Sequence, residues 1–402
     1  MKLSVACNFD PALIGALKGF PVYELYGKTT ADIIGGGRAS FTLPSTGKRK
    51  LEKYVKKVHE AGMGFNYLIN ASCLENMEST RGGQRAIREL LDWLAAIGVD
   101  AVTLNHPLLL KMVKKGYPFQ TRIGVFAAVN TVQRAKFWEG EGADCICLED
   151  IAVNRDFELL AEMRRAVSCD LQLLVNNHCF YSCAMSGTHM NMLSHASQSK
   201  HKSKGFYVDY CMVRCTGDKL ANPVNFIRAS WIRPEDLTHY RALGYENFKI
   251  VERMSPTWLL ALRVKAYAEG KYDGNLLDLV QPYGHKDAGI GNATKAARFL
   301  RYLLRPFAVN PLKMNKLRKI GEMQGMLSSL EGAPPVVIEN AEMDGFIERF
   351  KKQRCADVDC GSCRHCHTVA ERHVKVDPAF RHETLKLYAD LTEELETGRF
   401  WK

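Results

Sequence analysis

Thirteen cysteines occur in the 402 residues, and eight of them fall into two groups of four. The first group, Cys179, Cys183, Cys211 and Cys215, begins in the stretch "NNHCFYSCAMSGTH" and reads C-x3-C, 27 residues, C-x3-C. Structural zinc sites usually present C-x2-C knuckles, and neither pair has that spacing. A radical SAM motif would need a further cysteine at position 186, where Ser186 stands. Four soft ligands from two loop pairs do suit an iron–sulfur cluster, which tolerates varied spacing. Reduced, unligated thiols remain an alternative. So does a cysteine nucleophile at Cys179, because His178 and His189 stand nearby; neighbours in sequence are not a dyad, however.

The second group, "CADVDCGSCRHCH", places Cys355, Cys360, Cys363 and Cys366 within twelve residues as C-x4-C-x2-C-x2-C. That density on a Gly- and Asp-containing loop is not hydrophobic packing. Its start matches the plant-type ferredoxin run and fits a second iron–sulfur cluster. Zinc, with His365 or His367 substituting for a thiolate, is the rival. Either would act as an electron relay or a structural clip for the tail. The remaining Cys7, Cys73, Cys145, Cys147 and Cys169 stand in mostly apolar surroundings and read as small buried hydrophobes.

The elements that must position these groups alternate. From the start to about residue 270, short apolar runs ("KLSVAC", "PVYELYG", "GFNYLIN", "DAVTLN", "RIGVFAAVN", "DCICLE", "LQLLVN", "FIRAS", "NFKIVE") exchange with amphipathic stretches such as "GGQRAIRELLDWLAAIG". This is the pattern of repeated βα units, and eight or nine strands over this length predict an α/β fold, a TIM-like (β/α) barrel. Asn8, Asn70, Asn105, Asn130 and Asn176 each follow a predicted strand. Loops after the strands build barrel active sites, so a ring of amides there suits a polar ligand; each could equally cap the next helix. The run "IIGGGRAS" lacks a phosphate-loop spacing and reads as a flexible βα loop.

The barrel is assigned to residues 1–270 with the first quartet. A mostly helical, cysteine-containing C-terminal extension is assigned to 271–402 with the second. It is expected to hold a helix around 293–305, an isolated strand at "PPVVIEN" and a polar helix near 379–397.

The net charge of +11 invites a nucleic-acid reading. Because the basic residues are interleaved with acids, an acidic small molecule is favoured over nucleic acid. No apolar run reaches the roughly 20 residues of a membrane span. The amino end "MKLSVACN" reads as a first strand, and the protein is expected in the cytoplasm with reduced thiols.

Over residues 1 to about 255 the order of features resembles peptidase family U32, the collagenase-like peptidases. The resembling stretches are "GVDAVTLNHPLLL", "IGVFAAVNTVQRAKFWEGEGADCICLEDIAV", the cysteine loop, "DYCMVRC" and "ASWIRPEDLTHYRALGYENFKIVERM". The resemblance implies a barrel, a 4Fe-4S cluster on Cys179, Cys183, Cys211 and Cys215, and oxygen-independent hydroxylation of ring-containing precursors or RNA bases. It also implies a protein partner or electron donor, since some relatives work as pairs. Two departures stand out: many members take a ligand where this chain has Ser230, and the appended second quartet is not part of the core family. On this reading Glu149, Lys249 and Arg253 are the catalytic candidates, Glu149 moving protons and Arg253 clamping a carboxylate. Asn70, Asn130, Asn176 and His189 are the substrate-binding candidates. An RNA-modifying protein and a metal-independent peptidase remain the alternatives.

Overall fold

Eight parallel strands close on themselves in the computed structural model, which describes residues 1–203, 205, 207–280, 313, 316, 319 and 333–401. The ring begins with β1 (Lys2–Ala6), β2 (Val22–Gly27), β3 (Gly64–Ile69) and β4 (Ala101–Leu104). It continues through β5 (Gln120–Ile123), β6 (Cys145–Cys147), β7 (Asp170–Leu174) and β8 (Asn247–Ile250), and β8 pairs back onto β1. Nearly every strand residue is buried, because the strands face a filled interior on one side and helices on the other. That is why they read as apolar runs rather than as alternation.

The helices follow the strands in order. After β1 to β5 come α1 (Pro11–Ala16), α2 (Lys48–Glu60), α3 (Arg81–Ala96), α4 (Pro107–Gly116) and α5 (Val132–Gly140). Strand β6 leads to α6 (Asp150–Val153) and α7 (Phe157–Ala166). The long excursion after β7 carries α8 (Ser186–His195), α9 (Tyr210–Ala221), α10 (Val224–Ile227) and α11 (Leu237–Ala242), and β8 is followed by α12 (Thr257–Glu269). Several start on a side-chain cap: Thr80 accepts from the Gly83 amide, Asp156 from Leu159 and Asp209 from Met212. Each such cap satisfies an amide that the helix itself leaves unpaired.

A polar layer crosses the barrel interior. The Glu24 carboxylate accepts from Ser4 at 2.6 Å, Asn66 at 3.1 Å and Arg122 Nε at 2.8 Å. Thr103 donates to Asn66 at 2.9 Å and extends the network to β4. A buried ion pair of this kind holds only because its remaining hydrogen-bonding positions are filled.

Three sequence expectations are corrected. "FIRAS" is not a strand: it forms the end of α10 and an irregular segment whose single bridge joins Ala229 to Phe180. β7 pairs directly with β8 and leaves no place for a ninth strand, and a short apolar run does not distinguish a strand from a buried turn of helix. The strand in "PPVVIEN" is not isolated, since β9 (Val336–Ile338) pairs antiparallel with β10 (Val374–Val376). The glycine run is clamped rather than free: Asp32 Oδ1 accepts from the Ile34 and Gly35 amides, and Ser197 Oγ accepts from Gly36 at 2.6 Å. The helix expected around 293–305 lies outside the described residues.

The C-terminal residues pack on the helices after β6 and β7. They form α13 (Leu276–Leu279), α14 (Glu348–Lys352), α15 (Cys360–Cys363), α16 (His365–His373) and α17 (Pro378–Glu396). Arg381 donates to the Leu220 and Ala221 carbonyls at 2.8 and 2.7 Å, satisfying the open end of α9. Tyr210 at the start of α9 donates to Glu396 at 2.7 Å, so α17 holds the helix that carries Cys211 and Cys215 at both ends. Among the described residues no helix is long and apolar enough to cross a membrane.

Candidate functional site at the barrel mouth

The loops after β2, β3, β4 and β8 bring cations and amides together over one end of the barrel. Lys28, directly after β2, is buried and lies 2.9 Å from Asp32. Burial lowers its pKa, with Asp32 opposing. Arg38, beyond the glycine run, pairs with Glu252 at 3.0 Å. Burial alone would raise Glu252, but Arg38 and Arg263 hold it below the usual carboxylate range. Glu252 sits at φ 94°, a left-handed backbone uncommon for a residue with a side chain, and this turn delivers Arg253 inward. Arg253 is 4% exposed and its Nη1 is buried without a hydrogen-bond partner. Burial, reinforced by Arg38 and opposed by Tyr26, Cys7 and Glu252, lowers its guanidinium to about 10. Lys249, on β8, places Nζ 4.3 Å from the centre of the Tyr26 ring.

The amides divide by use. Asn176 is consumed by the fold, donating to the Val251 and Leu279 carbonyls and accepting from the Val251 amide. Asn8 likewise binds Ser255 O and Thr257. Asn105 donates to the Asn70 carbonyl at 2.5 Å, and the Oδ1 atoms of both Asn70 and Asn105 are buried without partners. A Cβ added at Gly36 would stand 2.7 Å from Asn70 Oδ1 and 3.3 Å from Lys28 Cδ, so the glycine lets the loop descend onto both. Asn130 follows a 3-10 turn rather than a strand end; it donates to Glu149 Oε2 at 2.5 Å and accepts from Arg134 at 3.3 Å. Burial raises the Glu149 carboxyl, with the Asn130 bond opposing. Its neighbour Asp150 is pushed up to about 6 by burial, although Ser230 and Asn177 donate to it.

The first cysteine quartet adjoins this mouth. Cys179 and Cys183 lie in the loop after β7, which is pinned by the Ser230 amide on Cys179 O at 2.9 Å and by the Ser182 amide on Ile151 O at 2.9 Å. Cys211, Cys215 and Lys219 are spaced four apart on α9 and so share one face of it. Lys219 is buried beneath the thiols with Nζ 5.5 Å from the centre of the Phe180 ring. Burial pushes Cys179 up to about 12 and Cys211 to about 11, and thiols of the group repel one another's ionisation. Arg38 and Cys179 lie close enough to interact electrostatically. His189 turns to Asp209 at 2.8 Å, where Tyr207 also donates at 2.8 Å.

The second quartet sits outside the barrel, on the 3-10 turn Cys355–Asp357, on α15 and on α16. Among the described residues, the one set of three His, Cys, Asp or Glu donors within 4.8 Å of one another is Glu75, His195 and His201. Neither quartet is therefore drawn to the spacing of a single bound ion. A cleft of about 560 Å³ beside α2 and α3 is lined by Thr29, Asp32, Trp93 and Lys200 and not by Arg253 or the cysteines. The buried Lys28, Lys249 and Arg253 do not line that cleft. Sequence reading missed Lys28, Asp32 and Arg38; Lys28 follows a strand end, the same signal that singled out the asparagines.

A family model described as peptidase family U32 matches residues 35–271. Over 249 residues the chain is 32% identical to an uncharacterized protease of Methanocaldococcus jannaschii, an alignment spanning 62% of this chain and 73% of that protein. A solved U32 peptidase, Mk0906, is 21% identical; the match covers 63% of this chain and 93% of that one, with a TM-score of 0.47.

Proposed function

Given that the chain belongs to peptidase family U32, we propose that it is an iron–sulfur enzyme acting on an anionic small molecule in an oxygen-independent redox or hydroxylation step. Cys179, Cys183, Cys211 and Cys215 would hold a 4Fe-4S cluster, with Lys219 beneath as counter-charge. The donor set fits the group: four thiols gathered near one another, spread wider than a single ion requires, and beside a buried cation. Bound there, the cluster would supply a one-electron centre or a Lewis-acidic iron.

The observation that carries the reading is the partnerless, buried Nη1 of Arg253 among Lys28, Arg38 and Lys249. A buried cation without a full set of partners is costly unless a ligand completes it. A carboxylate or phosphate meets a guanidinium by parallel hydrogen bonds. The open Oδ1 atoms of Asn70 and Asn105 would accept from hydroxyl or amide groups of the same molecule. Glu149, with its raised pKa and its Asn130 contact, is placed to hold or release a proton.

The test is to purify the full chain without oxygen and measure iron and acid-labile sulfide, in wild type and in Cys211→Ser/Cys215→Ser. Loss of about four irons in the variant supports the reading. An unchanged iron content sinks it. The family name keeps a peptidase in view, and peptide cleavage by the iron-free chain would establish that instead. Tight, strongly salt-dependent RNA binding would move the substrate to an RNA base.

A further inference from the structure

We propose that Cys355, Cys360, Cys363 and Cys366 form a second, separate iron–sulfur site, a four-iron cluster ringed by three arginines, rather than a zinc clip or a set of bare thiols. The chain is folded for convergence there. Asp359 caps α15 by accepting from the Ser362 amide at 2.9 Å. Arg364 then takes a left-handed conformation, φ 48°, reversing the chain so that Cys366 returns in the first turn of α16. A residue with a side chain adopts that conformation at a cost, which the surrounding structure must offset.

The charges around the quartet call for an anion. Arg349 Nη2 lies 3.3 Å from Cys363 Sγ. Arg155 is buried against three rings, its guanidinium 4.5 Å from the centre of Trp231, 4.9 Å from Phe346 and 5.2 Å from Phe350. Its Nη1 donates to Ile227 O at 2.6 Å, but its Nε is buried without a partner. Arg228 reaches His367 at 3.4 Å, and its Nε is likewise buried and partnerless. Arg155 feels Cys366 and Cys355, and Arg228 feels Cys363 and Cys366. Asp236 offsets part of the Arg155 charge, but the buried Nε atoms of Arg155 and Arg228 still lack partners, and thiolates on a metal centre would supply charge to face them.

The order C-x4-C-x2-C-x2-C, which opens as the plant-type ferredoxin run does, favours a cluster over zinc. Tetrahedral zinc with Zn–S bonds of about 2.3 Å holds all four sulfurs roughly 4 Å apart. No three of these thiols lie within 4.8 Å of one another. They are neighbours nonetheless, since all four fall within twelve residues that double back at the left-handed Arg364. A cluster, which puts each thiolate on a different iron, takes ligands spread in this way. Cys360 is exposed, so the group would sit at the surface, within reach of a redox partner.

The site stands on residues outside the barrel mouth, so its test separates from the one above. Iron, acid-labile sulfide and zinc are measured on the anaerobically purified full chain as wild type, Cys360→Ser/Cys363→Ser and Cys211→Ser/Cys215→Ser. The tail variant is expected to lose about four irons with their sulfide, while the barrel variant keeps them. Loss of one zinc with iron unchanged, or no change in any metal, overturns the proposal. Cys360→Ser alone, at an exposed position, guards against a folding defect: with the circular dichroism of wild type, it should show an altered cluster EPR spectrum. An unaltered spectrum would also overturn the proposal.

Discussion

Replacing Arg253 by methionine is expected to stabilise the protein while destroying its anion site. Burial, reinforced by Arg38, lowers the guanidinium to about 10, about 2.5 pH units below its ordinary value. At about 1.4 kcal/mol per pH unit, holding that charge in the fold costs roughly 3 kcal/mol. Because the group is a base with a lowered folded pKa, the cost is complete at neutral pH. It fades only as the pH rises through 10, where the native state sheds the proton before the unfolded chain does. Methionine retains the apolar stem but leaves space where the guanidinium stood, at about 1 kcal/mol, so a net gain of about 1–2 kcal/mol is expected. Urea unfolding of the metal-free chain at pH 7 measures it. Repeating the titration with a dicarboxylate or phosphate reads the site, since a ligand raises the stability of a competent native state in proportion to ln(1 + [L]/Kd). The wild-type midpoint should climb with ligand and the variant's should not. A variant less stable than wild type by more than about 1 kcal/mol would make Arg253 a structural residue, and a retained ligand response would place the anion elsewhere.

Substitutions at Glu24 with Arg122, and at Asp150, probe the barrel interior and the mouth. Glu24→Ala leaves Arg122 buried without its counter-ion and should cost about 3–5 kcal/mol by urea midpoint, while Glu24→Leu/Arg122→Met recovers most of the loss; equal damage in both variants would show that packing, not charge, dominates. Asp150, pushed up to about 6 by burial, is an acid with a raised folded pKa. The native state therefore binds the extra proton between about pH 4 and 6, and stability falls as the pH rises through that window, by roughly 2–3 kcal/mol. Asp150→Asn should abolish this slope in pH-dependent unfolding, and a slope that survives would assign it to another group.

The barrel was legible because its strands are short apolar runs at regular intervals, each followed by an amphipathic helix. "FIRAS" broke the reading for a physical reason: Phe226, Ile227 and Ala229 are buried where α10 packs on α16 and α9, and burial on a turn of helix leaves the same apolar run as burial on a strand. The ring of asparagines was legible as position but not as role. Asn8 and Asn176 end their strands just as Asn70 does, yet their amides are taken up by backbone groups more than seventy residues away. No local pattern reports such a partner. Lys28 and Arg38 were hidden in the same way, since a cation beside a glycine run reads as surface until Asp32, Ser197 and Asn70 are seen to fold the loop inward.

The net charge of +11 divides unevenly between the surface and the interior of the fold. Read along the sequence, it suggests a basic exterior looking for phosphates. In the fold, Lys28, Lys249, Arg253 and Lys219 are buried at or beside the barrel mouth and the first quartet, and Arg155 is buried against the second. A buried cation cannot attract a polyanion from solution; it can only meet what enters its own cavity. The formal charge also counts every thiol as neutral, whereas a metal centre binds thiolates and brings its own compensating charge. Among the described residues eight basic and six acidic side chains are buried, so the interior takes up little of the net balance; on the function proposed above, Lys28, Lys249, Arg253 and Lys219 would serve as local counter-charge for an anionic ligand and for the first quartet.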